Sequence, residues 1–236
     1  MNRVLEATGL TKAFKGQLAV ENVDIHVRQG EVVGLLGPNG AGKTTTFKMV
    51  LGLLRQDAGS VRFGQVLDGL PLHKRARLGL GYLPQGASVF QGLSVEDNLL
   101  ALFEALGRDR LAHRTGELLN RFGLSHLREH KARTLSGGER RRLEFARALC
   151  SEPDILLCDE PFAGVDPIAV RDIVGAIKDL AGSNVGVLLT DHSVRDALSS
   201  CDRIYLIVEG QIREHGSPDH ILQSENAKRL YLGDDF

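Results

Sequence analysis

The chain has 236 residues and a formal net charge of −1 at pH 7, and 42% of its residues are hydrophobic and 25% charged. This length and composition predict one α/β domain, or a core that carries an inserted subdomain. They exclude an overall charge that would attract nucleic acid or anionic lipid, and no apolar run approaches the roughly 18 residues of a membrane span.

The first residues and the cysteines indicate a cytoplasmic protein. Met1–Glu6 contain no apolar core of a signal peptide. Cys150, Cys158 and Cys201 lie far apart and lack the spacing of a zinc site. We therefore expect three free thiols in a reducing compartment. If the protein serves a membrane, we expect it to act from the cytoplasmic face through a partner.

Strand patterns dominate the first part of the chain. Val20–Val27 partly alternate apolar and polar residues, as in an antiparallel strand with one solvated face. The apolar run Val32–Leu36 predicts a buried strand. Two shorter strands are predicted at Ser60–Phe63 and Leu80–Leu83.

A glycine-rich loop follows the strand at Val32–Leu36. Gly37–Thr44 (GPNGAGKT) match every fixed position of G-x-x-x-x-G-K-[ST], and a helix is predicted from Thr45 to Leu54. In this context backbone N–H groups and the helix N-terminus surround phosphate oxygens. The alternative interpretation is a glycine-rich turn that binds nothing. Lys43 would attract the β- and γ-phosphates, and the Thr44 hydroxyl can ligate Mg²⁺. The predicted nucleotide-binding residues are Gly37, Pro38, Asn39, Gly40, Ala41, Gly42, Lys43, Thr44 and Thr45.

The pattern becomes helical between Ser94 and Cys150. Apolar residues there recur at the spacing of one helix face. We therefore predict a helical subdomain at about residues 86–150, inserted into a core of residues 1–85 and 151–236. The residues with this spacing are Leu99, Leu102, Phe103 and Leu106, and then Leu111, Leu118, Leu119 and Phe122.

The last third returns to alternating strands and helices. Ser217-Pro218 has the form of a helix N-cap followed by proline at the first helical position. Helices are predicted to begin near Pro167 and Ser193. Strands are predicted at Ile155–Cys158, Val185–Thr190 and Arg203–Val208.

Two carboxylates, Asp159 and Glu160, directly follow the apolar run Ile155–Cys158. This pattern predicts a buried parallel strand with acids at its carboxyl edge, where open α/β sheets bind ligands. Near a phosphate loop, Asp159 is expected to hold Mg²⁺, directly or through water. Glu160 is expected to orient or deprotonate the attacking water. The alternative is that both acids cap the turn at Pro161.

A second glycine pair precedes the predicted helix Arg140–Leu149. Leu135–Glu139 (LSGGE) resemble the signature sequence of the ATP-binding cassette family, the nucleotide-hydrolysing subunits of ABC transporters. The family usually has Gln where this chain has Glu139. The charge run Arg140–Arg142 predicts a solvated helix face or contacts between subdomains rather than a basic patch. The resemblance implies that ATP is contacted by Ser136, Gly137 and Gly138.

Four further residues match the family. Gln85 resembles the glutamine that touches Mg²⁺ and links to the helical insert. Asp166 resembles the loop residue at the dimer interface, and His192 resembles the switch histidine that faces the γ-phosphate. Phe14 lies where the family has an aromatic residue that stacks on adenine. Without the resemblance, a lone histidine or phenylalanine would be taken for a core or surface residue.

The resemblance extends from about Leu5 to Phe236 and implies the fold. It implies an α/β P-loop NTPase core, with a RecA-like mixed sheet plus an antiparallel β subdomain, and an inserted α-helical subdomain. It is closest to the ATPase subunits of lipopolysaccharide export transporters, and the ATPases of branched-chain amino-acid importers are the alternative. The supporting stretches are Gly34–Phe47, Gly81–Gln85, Leu135–Arg142, Asp159–Pro167 and Tyr231–Phe236.

The resemblance also implies the assembly. ATP and Mg²⁺ would be bound in a head-to-tail homodimer, in which each chain's Ser136 and Gly138 lie against the γ-phosphate on the other. ATP would join the two chains and hydrolysis would release them. The dimer would power lipopolysaccharide extraction on the cytoplasmic face of the inner membrane, with no nucleic-acid contact and with membrane contact only through partners.

Two transmembrane permease subunits are expected to dock near Gly86–Leu93. Val89, Phe90 and Leu93 in this loop predict an exposed apolar patch that receives a short helix. The alternative is that the three side chains fold back into a small satellite core.

Two other classes of function, and one weaker variant, are alternatives to a transporter ATPase. A nucleic-acid-maintenance ATPase of the same superfamily would split its core with a long coiled coil, and this chain has no heptad run. A non-catalytic binding module, in which nucleotide regulates an interaction, does not need a catalytic base. The presence of Glu160 therefore argues against this class. A ribosome-acting ABC protein typically contains two cassettes, whereas 236 residues allow one.

Overall fold

The fold is described by a computed structural model that covers residues 3–109 and 111–233, apart from the side chain of Ile168. Asp234–Phe236, part of the C-terminal stretch that supports the resemblance, lie outside the described residues. The described strands are β1 (Val4–Phe14), β2 (Gln17–Arg28), β3 (Val32–Leu36), β4 (Ala58–Phe63), β5 (Gln65–Val66), β6 (Leu80–Leu83), β7 (Ile155–Asp159), β8 (Gly186–Thr190), β9 (Arg203–Val208) and β10 (Gln211–Gly216).

The helices follow the predicted order. Single short turns of helix also occur at Ser125–Leu127 and Ala132–Thr134, and a wider turn closes the described chain at Lys228–Leu232. The helices are α1 (Lys43–Leu51), α2 (Leu72–Arg77), α3 (Val95–Ala105), α4 (Leu111–Arg121), α5 (Gly137–Leu149), α6 (Pro167–Gly182), α7 (Val194–Ser200), α8 (Pro218–Gln223) and α9 (Glu225–Ala227).

The strands form two sheets. The larger has the order β10-β9-β3-β8-β7-β6, in which β9 to β6 run parallel and β10 is antiparallel. The smaller is antiparallel, with the order β2-β1-β4-β5. Strands β3, β7 and β8 are buried along their whole length, which explains their unbroken apolar runs. The expected mixed sheet and antiparallel sheet of an α/β fold are confirmed.

The larger sheet separates two hydrophobic clusters. Because side chains alternate across a strand, Leu36 and Leu156 contact one cluster, whereas Leu35 and Leu157 contact the other. The first cluster joins the sheet to α3–α7, and the second joins it to α1 and the antiparallel sheet. The sheet is therefore covered on both faces, and its strand ends are left for binding.

The segment between β6 and β7 contains α3, α4 and α5. Of the eight apolar residues at helical spacing, four are buried, three are half-buried and Leu106 is 44% exposed. The rings of Phe122 and Phe145 stack with their centres 6.3 Å apart. Leu106 is the C-cap residue that ends α3, and the chain turns at the next residue, Gly107, with a φ of 63°.

Helix α2 and strand β10 are among the elements that the sequence did not predict. Helix α2 is short and basic, and one of its residues, Arg75, is only 1% exposed. The Arg75 guanidinium donates to four backbone oxygens, including those of Met49 and Val50 at the end of α1. Strand β10 lies at the sheet edge and alternates too weakly to be recognised. Helix α1 ends at Gly52, whose φ is 72°, and not at Leu54 as predicted.

Two remaining expectations concern the cysteines and membrane spans. The three cysteines are free and buried, and burial raises the pKa of each thiol to about 12. Within residues 3–109 and 111–233, no helix combines the length and apolar character needed to cross a bilayer.

Candidate nucleotide-binding site

The predicted chemical residues meet at the carboxyl edge of the larger sheet. Leu35 on β3 pairs with Thr190 on β8, and Thr190 pairs in turn with Asp159 on β7. The segments that follow these strands carry the glycine loop, Glu160 and His192. Because parallel strands end at one edge, residues far apart in sequence come together there.

The glycine loop needs two of its glycines for close packing. A Cβ on Gly37 would lie 2.0 Å from the backbone oxygen of Ile207, and one on Gly42 would lie 2.7 Å from that of Ala19. Gly42 also has a φ of 105°, in the region that favours glycine. The loop is therefore held against β9 and β2 by contacts that larger residues would prevent.

Helix α1 begins without a side-chain cap. Its N-cap is Gly42, so no side chain accepts a hydrogen bond from its first turn. Unsatisfied N–H groups and the positive end of the helix dipole favour an anion at this point. Thr44 is exposed in this turn and Thr45 is half-buried.

The buried ammonium of Lys43 lies inside the loop. Its Nζ donates to the backbone oxygens of Gly37 and Pro38, at 2.6 and 2.9 Å. Burial lowers the pKa of Lys43, and the carboxylates of Glu160, Asp191 and Asp159 act in the opposite direction. An ammonium has three donors, so one remains for a phosphate oxygen in addition to these two bonds.

The two acids have different surroundings. Asp159 is buried and accepts a hydrogen bond from the Thr190 hydroxyl at 2.8 Å. Glu160 has a φ of 46°, a strained conformation for this residue type that turns the chain away from β7. Its Oε2 accepts from Gln85 Nε2 at 2.6 Å, which leaves the Gln85 side-chain oxygen able to ligate a cation.

His192 lies beside Glu160. Its Nδ1 is 3.6 Å from Glu160 Oε2, and the side chain is 58% exposed. The preceding residue, Asp191, is fully buried and accepts from the backbone N–H groups of Phe162, His192 and Ser193. Asp191 therefore joins the segments that follow β7 and β8. Sequence reasoning gave it no role, although a charged residue directly after an apolar strand was a usable signal.

The signature residues lie at the start of α5. Ser136 Oγ accepts from the Glu139 backbone N–H, and Glu139 Oε2 accepts from the Ser136 N–H, which forms a capping box. A Cβ on Gly138 would lie 2.7 Å from Ala169 Cβ, so this glycine permits close packing of α5 on α6. Asp166 Oδ1 accepts from the Ala169 N–H at the start of α6. Gly137 is exposed in the first turn of α5.

Arg141 agrees with the second of the two predictions for the run Arg140–Arg142, contacts between parts of the chain rather than a solvated helix face. It is 6% exposed and forms an ion pair with buried Glu144 at 2.8 Å. Its guanidinium also donates to the backbone oxygens of Pro84, Glu160 and Pro161. Arg141 therefore ties α5 to the segments that carry Gln85 and Glu160, although the charge run did not indicate which arginine makes the contact or which residues it binds.

Phe14 lies at the end of β1, in the hairpin that joins it to β2. It pairs with Gln17 and is 47% exposed. Strand β2 passes the phosphate loop at Ala19. An exposed ring on this hairpin is able to stack on a base.

The loop Gly86–Leu93 divides the predicted apolar patch. Val89 is 9% exposed and belongs to the core, Leu93 is half-buried, and Phe90 is 48% exposed. The expectation that all three form an exposed patch is therefore wrong for Val89, which packs inward as the satellite-core alternative predicts. Phe90 remains an exposed aromatic residue within the same loop.

The donor set fits an oxygen-binding divalent cation. Thr44 offers a hydroxyl, Gln85 an amide oxygen and Asp159 a carboxylate, and Mg²⁺ prefers such oxygen ligands together with substrate phosphates. Among the described residues, no group of three or more histidine, cysteine, aspartate or glutamate residues could hold a metal by themselves. A phosphate loop, a nearby carboxylate pair and this donor set together define a P-loop nucleoside triphosphatase.

Comparison with known proteins places the chain within that class. The ABC transporter family matches residues 20–163. The lipopolysaccharide export system ATP-binding protein LptB of Escherichia coli is 52% identical to the chain, with 98% of each covered. The LptB of Haemophilus influenzae is 48% identical, with 99% of this chain and 98% of the relative covered. The chain therefore belongs to the ABC transporter family and is an ATPase of the ABC type, with a domain that binds ATP or ADP.

A solved structure agrees with this assignment. The ADP conformation of MJ1267, an ATP-binding cassette of an ABC transporter, has a TM-score of 0.87 and 27% sequence identity to this chain. The superposition covers 99% of this chain and 100% of the MJ1267 chain. The fold expected from the family resemblance is confirmed over nearly the whole molecule.

Proposed function

We propose that the chain is the ATP-binding subunit that powers lipopolysaccharide export. The observation that carries this proposal is the 52% identity to LptB of Escherichia coli over 98% of both proteins. The identity extends far beyond the phosphate loop, which the importer ATPases share. We place the protein on the cytoplasmic face of the inner membrane, bound to transmembrane subunits.

ATP is proposed to lie against the start of α1. Residues Gly37–Thr45 would surround the phosphates, and Phe14 would stack on adenine. Thr44, Gln85 and Asp159 would hold Mg²⁺, which would supply positive charge to offset the negative charge of the phosphates. The uncapped N-terminus of α1 and the third donor of Lys43 support this placement.

Hydrolysis is assigned to Glu160, His192 and Lys43. Glu160 would accept a proton from the attacking water, because its carboxylate is exposed enough to reach water yet fixed by Gln85. His192 would donate to a γ-phosphate oxygen from its place beside Glu160. Lys43 would stabilise the charge that develops on the transferred phosphoryl group.

A second copy of the chain would complete the site. Ser136, Gly137 and Gly138 lie at the start of α5, and Asp166 lies at the start of α6 against which α5 packs. We propose that these four residues contact the nucleotide held by the other chain of a head-to-tail dimer. ATP would then join the two chains.

We further propose that residues 86–150 act as an inserted helical subdomain within a core of 1–85 and 151–236. Two transmembrane subunits would dock near Gly86–Leu93. The exposed ring of Phe90, one residue from buried Val89, supports a surface that receives a short helix.

The test is co-purification from the membranes of the source organism, followed by mass spectrometry. We expect membrane subunits of a lipopolysaccharide exporter. Recovery of amino-acid importer permeases would overturn the proposed cargo, and recovery of DNA or only soluble proteins would overturn the transporter assignment.

Phe90→Asp is the matching variant test. We expect it to abolish co-purification because a carboxylate cannot occupy an apolar helix interface without a large desolvation cost. Exposed Leu53, at 50%, provides the control Leu53→Asp, which should assemble normally. Normal assembly of a folded Phe90→Asp protein, judged by circular dichroism, would contradict docking at this loop.

A further inference from the structure

Phe90 is held in its exposed position by a fully buried amide. Asn98 on α3 is 0% exposed, and its Oδ1 accepts from the Phe90 N–H at 2.8 Å. Its Nδ2 donates to the Phe90 oxygen at 3.0 Å and to the Ser94 oxygen at 2.9 Å. One side chain therefore satisfies both backbone groups of Phe90, as a neighbouring strand would.

A buried guanidinium supports the same residue from the other side. Arg147 on α5 is 9% exposed and donates to the backbone oxygen of Asn98 at 2.9 Å and to its Oδ1 at 2.8 Å. Its Cζ lies 4.4 Å from the centre of the Phe90 ring, a distance at which a cation attracts an aromatic face. Burial lowers the pKa of Arg147.

This arrangement fixes an exposed side chain from within the protein. An exposed phenylalanine in a glycine-flanked loop would otherwise sample several rotamers and backbone conformations. Here its backbone is bonded to α3 and its ring rests on a side chain of α5. Asn98 uses both its acceptor and its two donor hydrogens within this cluster, so none of its polar capacity is left buried and unpaired.

We infer that Asn98 and Arg147 are positioning residues for partner docking, which hold Phe90 preorganised for the helix of a transmembrane subunit. This inference rests on the proposed function. Ordering Phe90 before the encounter removes an entropy cost that docking would otherwise carry. The two residues act through Phe90 and do not themselves touch the partner.

The first experiment examines the isolated subunit. Loss of the Asn98 acceptor should expose the Phe90 N–H, so Asn98→Leu should speed its hydrogen exchange about 3- to 10-fold. The control is Thr115→Val, because Thr115 is also fully buried in the helical segment and its hydroxyl has no partner among the described residues. Thr115→Val should change neither exchange at Phe90 nor ATP hydrolysis. Unchanged exchange in Asn98→Leu would overturn the inference.

A fluorescence probe follows the ring itself. The chain contains no tryptophan, so Phe90→Trp introduces a single tryptophan, whose emission can be excited separately from that of the three tyrosines. In this background, Arg147→Met and Asn98→Leu should both shift the emission and raise acrylamide quenching, whereas Thr115→Val should do neither. An emission spectrum and quenching that stay the same in all three variants would show that the ring is not held by these residues.

The second experiment measures docking. Transmembrane subunits of the lipopolysaccharide export system, purified in detergent, serve as the probe. We expect Asn98→Leu to weaken binding about 2- to 12-fold, the cost of ordering one side chain at an interface. In a Phe90→Ala background the same substitution should have no further effect, because Asn98 acts through Phe90.

The outcomes separate the inference from the proposed function. If the wild-type chain fails to bind these subunits, the proposed function fails and the inference falls with it. If the wild-type chain binds and Asn98→Leu binds equally well, the inference alone is overturned. If Asn98→Leu does not fold, Asn98→Asp replaces it. Its carboxylate keeps the acceptor for the Phe90 N–H and for Arg147 but loses the donor to the Phe90 oxygen, so docking should be weaker than in wild type. Docking equal to wild type would overturn the inference.

Discussion

Helices α1 and α5 both begin in glycine-containing segments, yet their N-termini are completed in different ways. The start of α1 has no side-chain cap and holds the buried cation Lys43. The start of α5 is closed by the reciprocal bonds of Ser136 and Glu139, which place a carboxylate in its first turn. A helix end that lacks a cap and carries a cation attracts an anion by itself, whereas one that already holds a carboxylate does so weakly.

This difference assigns the two ends different tasks. Helix α1 is suited to capture nucleotide in a single chain. Helix α5 is suited to recognise a phosphate that another chain already holds, through the Ser136 hydroxyl and the glycine N–H groups. The predictions below test this division, in order of decreasing expected effect.

The largest effect is expected for Glu160→Gln, which should separate nucleotide binding at α1 and recognition by α5 from hydrolysis. The amide keeps the shape but cannot accept a proton, so hydrolysis should fall about 10²- to 10⁴-fold while ATP still binds. With ATP preserved, α5 of one chain should remain against the nucleotide of the other. Size-exclusion chromatography should therefore show a stable dimer with ATP and a monomer without it. A monomer at saturating ATP would count against the shared site.

Lys43→Ala tests the proposed capture of nucleotide at the start of α1. It removes the cation from the phosphate loop, and we expect turnover to fall about 10²- to 10³-fold with weaker ATP binding. Lys48→Ala is the matched control, since Lys48 lies exposed in the last turn of the same helix. Steady-state hydrolysis of Lys43→Ala close to the wild-type rate would refute the assignment of the site.

His192→Ala should have a smaller effect. The imidazole would contact only the γ-phosphate end, so we expect turnover to fall about 10²-fold, the lower limit for a group that assists proton transfer. Affinity for ADP should not change. Titration calorimetry that finds equal losses of ADP and ATP affinity would show a structural role for His192 instead.

The smallest effect is expected for Glu139→Gln, on the α5 side. An amide oxygen can still accept from the Ser136 N–H, so the free energy of unfolding should fall by only about 0.5–1 kcal/mol. Removal of the negative charge should tighten ATP-driven dimerisation about 2- to 5-fold, if the γ-phosphate of the other chain lies there. Sedimentation with ATP measures this change, and weaker dimerisation would contradict the proposed interface.

Comparison of the wild-type chain with Glu139→Gln also gives a test that depends on pH. The hydrogen bond from the Ser136 N–H lowers the pKa of Glu139 in the folded chain. A carboxyl with a lowered folded pKa stabilises the fold above its unfolded pKa, which is about 4.3, and this contribution is lost as pH falls below that value. The stability difference between wild type and Glu139→Gln should therefore be present at pH 7 and decrease progressively as pH falls below about 4.3, through the lowered pKa of the folded chain, in denaturant titrations.

The site was predicted largely from local patterns. The phosphate loop, the acid pair and the signature each rest on a few neighbouring residues, because a turn, a strand end or a helix start is built from neighbours in sequence. Buried Asp191 was missed as a structural link. Contacts between subdomains were one of two predictions for the charge run of Arg141, but its partners were not identified. Asp191 binds the backbone of Phe162, 29 positions away, and Arg141 binds backbone groups 19 to 57 positions away, and local spacing gives no information on such partners.

The 86–93 loop shows the same limit. Its apolar residues predicted a patch, but Val89 packs into the core while the neighbouring Phe90 is exposed. Which of two adjacent apolar side chains is buried depends on the helices packed around the loop and not on the loop's own sequence.

The sequence by itself determined the strand–loop–helix context of the phosphate loop, the position of the acids after an apolar strand, and the family. These features follow from residue types at short spacing, which set backbone conformation and charge locally. Only the tertiary structure decided that Gln85 and His192 meet at Glu160, and that Asn98 and Arg147 hold Phe90 outward. Those contacts depend on sheet order and on helix packing, which arise when distant segments bury their apolar faces together.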